Sequence, residues 1–286
     1  MELKNSRAMS FAVITAVYAI AIVSGIIIYN LLEFEFWFKL FIADVSATAI
    51  TFAFSLIFRN ASVYDPYWSV LPVAVVVVFA IRQGLNTARI LMLVAVCVWG
   101  VRLTANWAYT FKNLNHQDWR YTMLKEKTGA FYPLINFFGI HLFPTLVVYG
   151  CILPVVYTFH MQLEVNVGSF IFFALSIGAT LLQTVSDWQM HSYRNNRTTP
   201  FIRVGLWKHS RHPNYLGEIL MWWGIALSFI SVVPSMWYMC IGAVVNTLMF
   251  LIVSVPMADR RQSGKNGFSE YKAQTRMLLP IKKRVK

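Results

Sequence analysis

MSFAVITAVYAIAIVSGIIIYNL, Met9–Leu31, runs for 23 residues without one charged side chain. A bilayer core about 30 Å thick is crossed by roughly 20 apolar residues rising 1.5 Å each, so this stretch is long enough to span it as a helix. Lys4 and Arg7 precede it, but the apolar run exceeds the core of a secretory signal and ends in no clear small-residue cleavage site. It is therefore expected to be a first membrane helix. Working outward, comparable runs occupy residues 36–58, 68–82, 90–111, 138–159, 166–190, 214–233 and 235–256. The run at 68–82 is short and carries Pro72, so the expected count is seven or eight. Of 286 residues, 57% are hydrophobic and 13% charged, with a mean hydropathy of +0.54, which excludes a soluble globular domain. The expected fold is an all-α polytopic membrane protein forming one domain, residues 1–58 supplying N-terminal helices and 59–286 the functional region.

Nearly all loop cations fall on one side of such a bundle: Lys4, Arg7 and Arg59, the loops 112–127 and 194–211, and the tail from Arg260 to Lys286. Arg82 and Arg89 are left for the other. By the positive-inside rule the basic side is cytosolic, with both termini there, in an inner membrane or endoplasmic reticulum. The net charge of +13 suits that rule and anionic lipid, and it also suits a phosphorylated cofactor. Cys97, Cys151 and Cys240 lie in apolar runs and read as buried thiols. No His or Cys pair has the spacing of a metal site, and no Gly-x-Gly-x-x-Gly occurs.

Three polar constellations stand at or within membrane depth. In RNASVYDPYWSVLP, Asp65 either caps a helix beginning at Pro66 or is a functional carboxyl, with Tyr67 beside it. Arg102 lies too deep in the fourth run for simple snorkelling and calls for a polar cavity or an acidic partner. Beyond it, Asp118 to Tyr121 form an amphipathic patch containing Arg120. The third constellation is SDWQMHSYRNNRTTPFIRVGLWKHSRHPNYLGE. If the sixth helix outruns the bilayer, Asp187, His191 and Arg194 share a face, and Asn214 and Glu218 repeat at i, i+4 on the next helix. Arg211 and His212 at that helix N-terminus would seat a phosphate or carboxylate, and Gly217 leaves room for a ligand or a neighbouring helix.

GLWKHSRHPNYLGEILMWWGIAL, with Asp187 to Arg194 before it and EYKAQTRMLLP after it, resembles the C-terminal half of membrane steroid 5α-reductases and their bacterial relatives. The resemblance covers roughly residues 65–280 and is strongest over 187–224. It implies NADPH-dependent reduction of the C=C bond of an enone in a lipophilic, 3-oxo-4-ene steroid-like substrate. The family's cofactor-contacting residues fall on Asp187, Arg194, Asn214 and Glu218. Its substrate-facing acid, seven residues before a proline, falls on Asp65 with Pro72. Trp99 stands where the family has a tyrosine, and an indole is no useful acid, so Tyr67 or Arg102 would assist Asp65. With the basic positions around them, the expected cofactor set is Arg120, Asp187, Arg194, Arg211, His212, Asn214, Tyr215, Glu218, Arg260, Arg261, Tyr271 and Arg276.

The chemistry suits these residue types. Hydride addition to an enone builds charge on the ketone oxygen, and a protonated carboxyl in an apolar site serves as its donor. The alternative is an S-adenosylmethionine-dependent methyltransferase of the isoprenylcysteine or phospholipid type, which shares the Arg-His-Pro phrase. Those enzymes usually carry paired acids after the last span, where this chain has Asp259 followed by Arg260 and Arg261, a pair better suited to a 2′-phosphate. A transporter or purely structural membrane protein would need no such cluster. The expected partners are a lipophilic small molecule and the bilayer.

Overall fold

The computed structural model describes residues 4–281, so the cations expected at 282–286 lie outside the described residues. The chain is an integral, multi-pass membrane protein, all-α among the described residues, with eight helical segments long and apolar enough to cross a bilayer. It divides into two compact units: Met1–Leu85 with Gly100–His160, and Asn86–Trp99 with Met161–Lys286.

The first unit holds α1 (Arg7–Leu31), α2 (Phe36–Ile57), α3 (Tyr67–Gln83), the later half of α4 (Thr87–Thr110), α5 (Trp119–Thr128), the single turn α6 (Tyr132–Leu134) and α7 (Phe143–His160). Helix α1 begins where the Ser6 hydroxyl accepts from the Met9 amide, filling one of the first-turn donors that a helix leaves open. Ile14, Val17, Tyr18 and Ala21 of α1 pack with Ala47 of α2 and with Tyr64 and Tyr67. Ile20, Val23 and Ile27 on the opposite face of α1 stay exposed, as lipid-facing positions should. The short third span is a full helix, because Pro72 is tolerated within it and a 3-10 turn, Ala61–Tyr64, extends it backwards. Between α6 and α7 the chain widens into a π-helical stretch, Ile135–Leu142.

The second unit holds the start of α4, then α8 (Val167–Asn195), α9 (Pro213–Val232), α10 (Ile241–Met249), α11 (Val255–Gln262) and α12 (Phe268–Gln274). Asn166 and Ser169 cap α8 reciprocally, Ser169 N to Asn166 Oδ1 at 2.9 Å and Asn166 N to Ser169 Oγ at 3.2 Å. Helices α8 and α9 lie close because glycines face the partner. A Cβ at Gly217 would come within 2.5 Å of Gln183 Cγ, and one at Gly224 within 2.8 Å of the Phe172 carbonyl oxygen. The space at Gly217 thus accommodates a helix. Ser176 Oγ donates to the Met221 carbonyl at 3.1 Å across the same contact.

Several expectations change. The last span does not stop near 256: a π stretch at Phe250–Ser254 leads into α11, so Asp259, Arg260 and Arg261 are helical. Arg89 is not a loop cation but a buried residue of the first turn of α4, whose amide donates to Asn86 Oδ1 at 2.9 Å. Among the cysteines only Cys151 is buried, while Cys97 and Cys240 are half-buried.

Candidate functional sites in the two units

In the first unit, the Asn60 side chain donates to the carbonyls of Leu114, at 2.6 Å, and His116, tying the segment before α3 to the loop before α5. Asp118 N donates to Ser62 Oγ at 2.9 Å, and the Asp118 side chain caps α5 by accepting from Arg120 N. These bonds set Tyr121, buried in the first turn of α5, with its hydroxyl donating to Asp65 Oδ1 at 2.6 Å. Asp65 is therefore no helix cap: α3 begins at Tyr67 behind Pro66, with no side-chain capping bond. Its carboxyl lies sideways against α5. Arg120 forks onto Asp118, Nε to Oδ1 at 2.8 Å and Nη2 to Oδ2 at 3.2 Å, and its guanidinium carbon stands 5.5 Å from the Tyr121 ring centre. Asp65, Arg120 and Tyr121 thus form one cluster.

Tyr67 sits apart from that cluster in its hydrogen bonding. Its hydroxyl accepts from Thr48 Oγ1 at 3.3 Å, and its ring packs on Tyr64 and Tyr18 with centres 5.2 and 5.6 Å away. It is a buried core tyrosine. Arg102 is half-buried on α4.

In the second unit, the expected phosphate seat is already filled from within. Arg211 Nη2 and Nε pair with Asp259 Oδ2 and Oδ1 at 2.9 and 3.3 Å, and Nη1 donates to the Thr275 carbonyl at 2.5 Å. His212 Nε2 lies 3.0 Å from Asp259 Oδ1. Lys272 adds a longer contact of 3.6 Å. Arg211 and His212 are buried, so these bonds satisfy polar groups largely withdrawn from water. The Arg211 amide also donates to the Arg276 carbonyl at 3.0 Å. Tyr271 donates to the Trp207 carbonyl, and burial pushes its phenol above the usual value. Tyr215 stacks on His212 at 5.1 Å. Five expected cofactor residues, Arg211, His212, Tyr215, Tyr271 and Arg276, are joined in a clasp between the start of α9, α11, α12 and the residues just after it.

Glu218 is also engaged from within. Its Oε2 accepts from Trp99 Nε1 at 2.9 Å and its Oε1 from Trp222 Nε1 at 3.0 Å, the two indoles meeting edge to face. Trp99 is fully buried.

The C-terminal end of α8 outruns the apolar span as expected and carries Asp187, His191 and Arg194. The loop beyond it is pinned back onto α8, Trp207 Nε1 donating to the Ser186 carbonyl at 3.1 Å and Leu206 N to Gln189 Oε1 at 2.9 Å. Asn214 Nδ2 reaches Asp187 Oδ1 at 3.4 Å, while Asn214 Oδ1 is buried without a hydrogen-bond partner. Lys265, half-buried, has its pKa lowered from the ordinary 10.5, first by burial and then by Arg197, Arg261 and Arg194. Cations brought together at this cost suit a polyanionic ligand, and the orphaned Asn214 oxygen suits an amide or hydroxyl donor. A phosphorylated nucleotide cofactor fits both. Arg260, exposed on α11, is not drawn into this group.

Sequence reasoning passed over Lys265 and gave Tyr121 no role. Lys265 looks like any tail cation, and Tyr121 was one member of an amphipathic patch; only chain folding sets either beside its neighbours.

Residues 51–275 match the family described as "Protein of unknown function (DUF1295)". The chain belongs to that family. It is also similar to an uncharacterised protein of Schizosaccharomyces pombe, 30% identical over 193 residues. The match covers 57% of this chain and 56% of that protein, a little over half of each. No solved structure matches.

Proposed function

We propose that this member of the DUF1295 family is a membrane-embedded, NADPH-dependent reductase of the C=C bond of an enone in a lipophilic, steroid-like substrate. The observation that carries the reading is the Tyr121 hydroxyl on Asp65 Oδ1 at 2.6 Å. The resemblance to steroid 5α-reductases calls for an acid and a phenol at the substrate oxygen, and Trp99 stands in the phenol's expected place. Tyr121 supplies a phenol from a different helix.

NADPH, when bound, supplies the hydride for the β-carbon of the enone. Asn214, Asp187, Arg194, Arg197, Arg261 and Lys265 would hold its polar groups. Asp65, as a carboxylic acid, donates to the ketone oxygen as negative charge gathers there, and Tyr121 holds that carboxyl in place through its free oxygen. The flanking Asp118–Arg120 fork fixes the first turn of α5 and so the phenol's position.

The test is thermal unfolding of the purified protein in detergent with NADPH, NADH or S-adenosylmethionine, joined to single-turnover oxidation of bound NADPH by a 3-oxo-4-ene steroid. NADPH should raise the melting temperature most. Asp65→Leu should keep that shift and lose about a hundred- to a thousandfold in turnover, the scale of a lost oxyanion donor. Stabilisation by S-adenosylmethionine alone would replace this reading with the methyltransferase. Parent-level turnover by Asp65→Leu would remove Asp65 from the chemistry.

A further inference from the structure

Within the first unit, at the end of its helices away from Asp65, three donors gather where α1 ends, α2 begins and α3 ends. Lys39 Nζ stands 4.9 Å and the Arg82 guanidinium carbon 5.9 Å from the ring centre of Tyr29. Asn30 holds Arg82 there, Nη1 donating to Oδ1 at 3.0 Å. Glu33 and Glu35 lie in the nearby loop, yet among the described residues no carboxylate pairs with either cation. The Tyr29 hydroxyl likewise makes no hydrogen bond among the described residues, and its oxygen is not a buried one. Snorkelling accounts for one cation at a membrane interface. Two drawn onto one ring, beside an open phenol, repel each other unless an anion joins them.

Beside that ring a half-open apolar groove lies among α1, α2 and α3, lined by Ile26, Leu40, Ala43, Ala74 and Val78, and Tyr29 and Arg82 line it too. We propose that the groove and its cationic end form a site for an anionic glycerophospholipid. One acyl chain lies along the groove, and the phosphodiester oxygens accept from Arg82, Lys39 and the Tyr29 hydroxyl. Charge selects the headgroup, because two cations without a carboxylate favour an anion and repel the ammonium of a choline headgroup. Position selects a lipid over a soluble phosphate, because these donors sit on membrane-spanning helices and the surface leading away from them is apolar. Asp44 also lines the groove, but it is 8% exposed with its unpartnered oxygen buried, and it takes no part in the site.

The proposal is independent of the reductase reading. Its test uses the full chain in phosphatidylcholine nanodiscs doped with a phosphatidylglycerol or a phosphatidylcholine whose acyl chain carries a diazirine, the label being mapped by mass spectrometry after irradiation. The phosphatidylglycerol probe should label residues 22–47 and 71–82 about tenfold more than its phosphatidylcholine counterpart, the scale of one to two cations at a lipid surface. Unlabelled phosphatidylglycerol should displace it, and inorganic phosphate should not. Arg82→Gln with Lys39→Gln should bring the two probes to parity, whereas Arg82→Lys with Lys39→Arg should keep the preference. Ala74→Phe, which fills the groove and leaves the three donors in place, should abolish the excess label. Equal labelling by both probes in the parent protein overturns the proposal, as does an excess that falls elsewhere, displacement by inorganic phosphate, or a preference that survives in the neutral double variant. The parent comparison decides this even if a variant does not fold, and the NADPH melting shift reports separately on the other reading.

Discussion

The two units treat their acids differently. In the second, Asp259 takes a forked arginine, a histidine and a distant lysine, and Glu218 gives each oxygen to a tryptophan N–H. In the first, Asp65 takes the Tyr121 phenol and the Ser62 side chain, and Asp44 Oδ1 takes nothing. A buried carboxyl whose lone pairs are filled by the protein holds helices together, whereas one left open is available to a ligand. These acids therefore differ in their partners: Asp259 and Glu218 are filled by the protein, while Asp44 keeps an oxygen without one.

The sharpest way to break that comparison is Asp259→Ala. It strands the buried Arg211, and we expect about 3–5 kcal/mol of lost stability. Detergent unfolding would show it, and a variant as stable as the parent would mean that the clasp holds nothing together. Trp99→Phe should cost less, about 1–3 kcal/mol, because one Glu218 oxygen loses its donor while Trp222 keeps the other. It should leave the NADPH shift intact; a selective loss of that shift would move Glu218 from architecture to cofactor binding. Tyr121→Phe should reverse the pattern, with a melting temperature close to the parent's and single-turnover rates about tenfold lower, since Asp65 survives without the group that orients it. A collapse of stability there would place Asp65 with the architectural acids.

The smallest effect concerns Lys265, whose folded pKa lies below its ordinary 10.5. The folded state therefore binds this proton less readily than the unfolded chain, so stability rises with pH through the window between the lowered value and 10.5. A bound polyanion works in the other direction and restores the proton. NADPH binding should thus take up protons in that window, measured by calorimetry in two buffers of different ionisation enthalpy. Lys265→Met should remove the uptake. Uptake unchanged in that variant assigns the proton to another group.

Much of the fold was legible because length and hydropathy act locally. Met9–Leu31 spans the bilayer by its own composition, and the seven other runs follow the same arithmetic, with Pro72 the cause of the wavering count. The continuation of α8 past its apolar part was legible too, since Asp187, His191 and Arg194 keep helical spacing. Asp65 was legible as the one acid of its segment, but its partner was not, because Tyr121 lies 56 residues away and reaches it only through the loop bonds of Asn60 and Ser62.

By itself, then, the sequence determined that the chain is a bundle of membrane helices, because every apolar run must satisfy its backbone internally in lipid. Only the tertiary structure decided what RHPNYLGE meets. Arg211 and His212 turn to Asp259, and Glu218 to two tryptophans, since a charge leaving water takes whatever partner the fold brings within about 3 Å, and sequence spacing does not reveal that partner. The same rule left the Asn214 and Asp44 oxygens unpartnered.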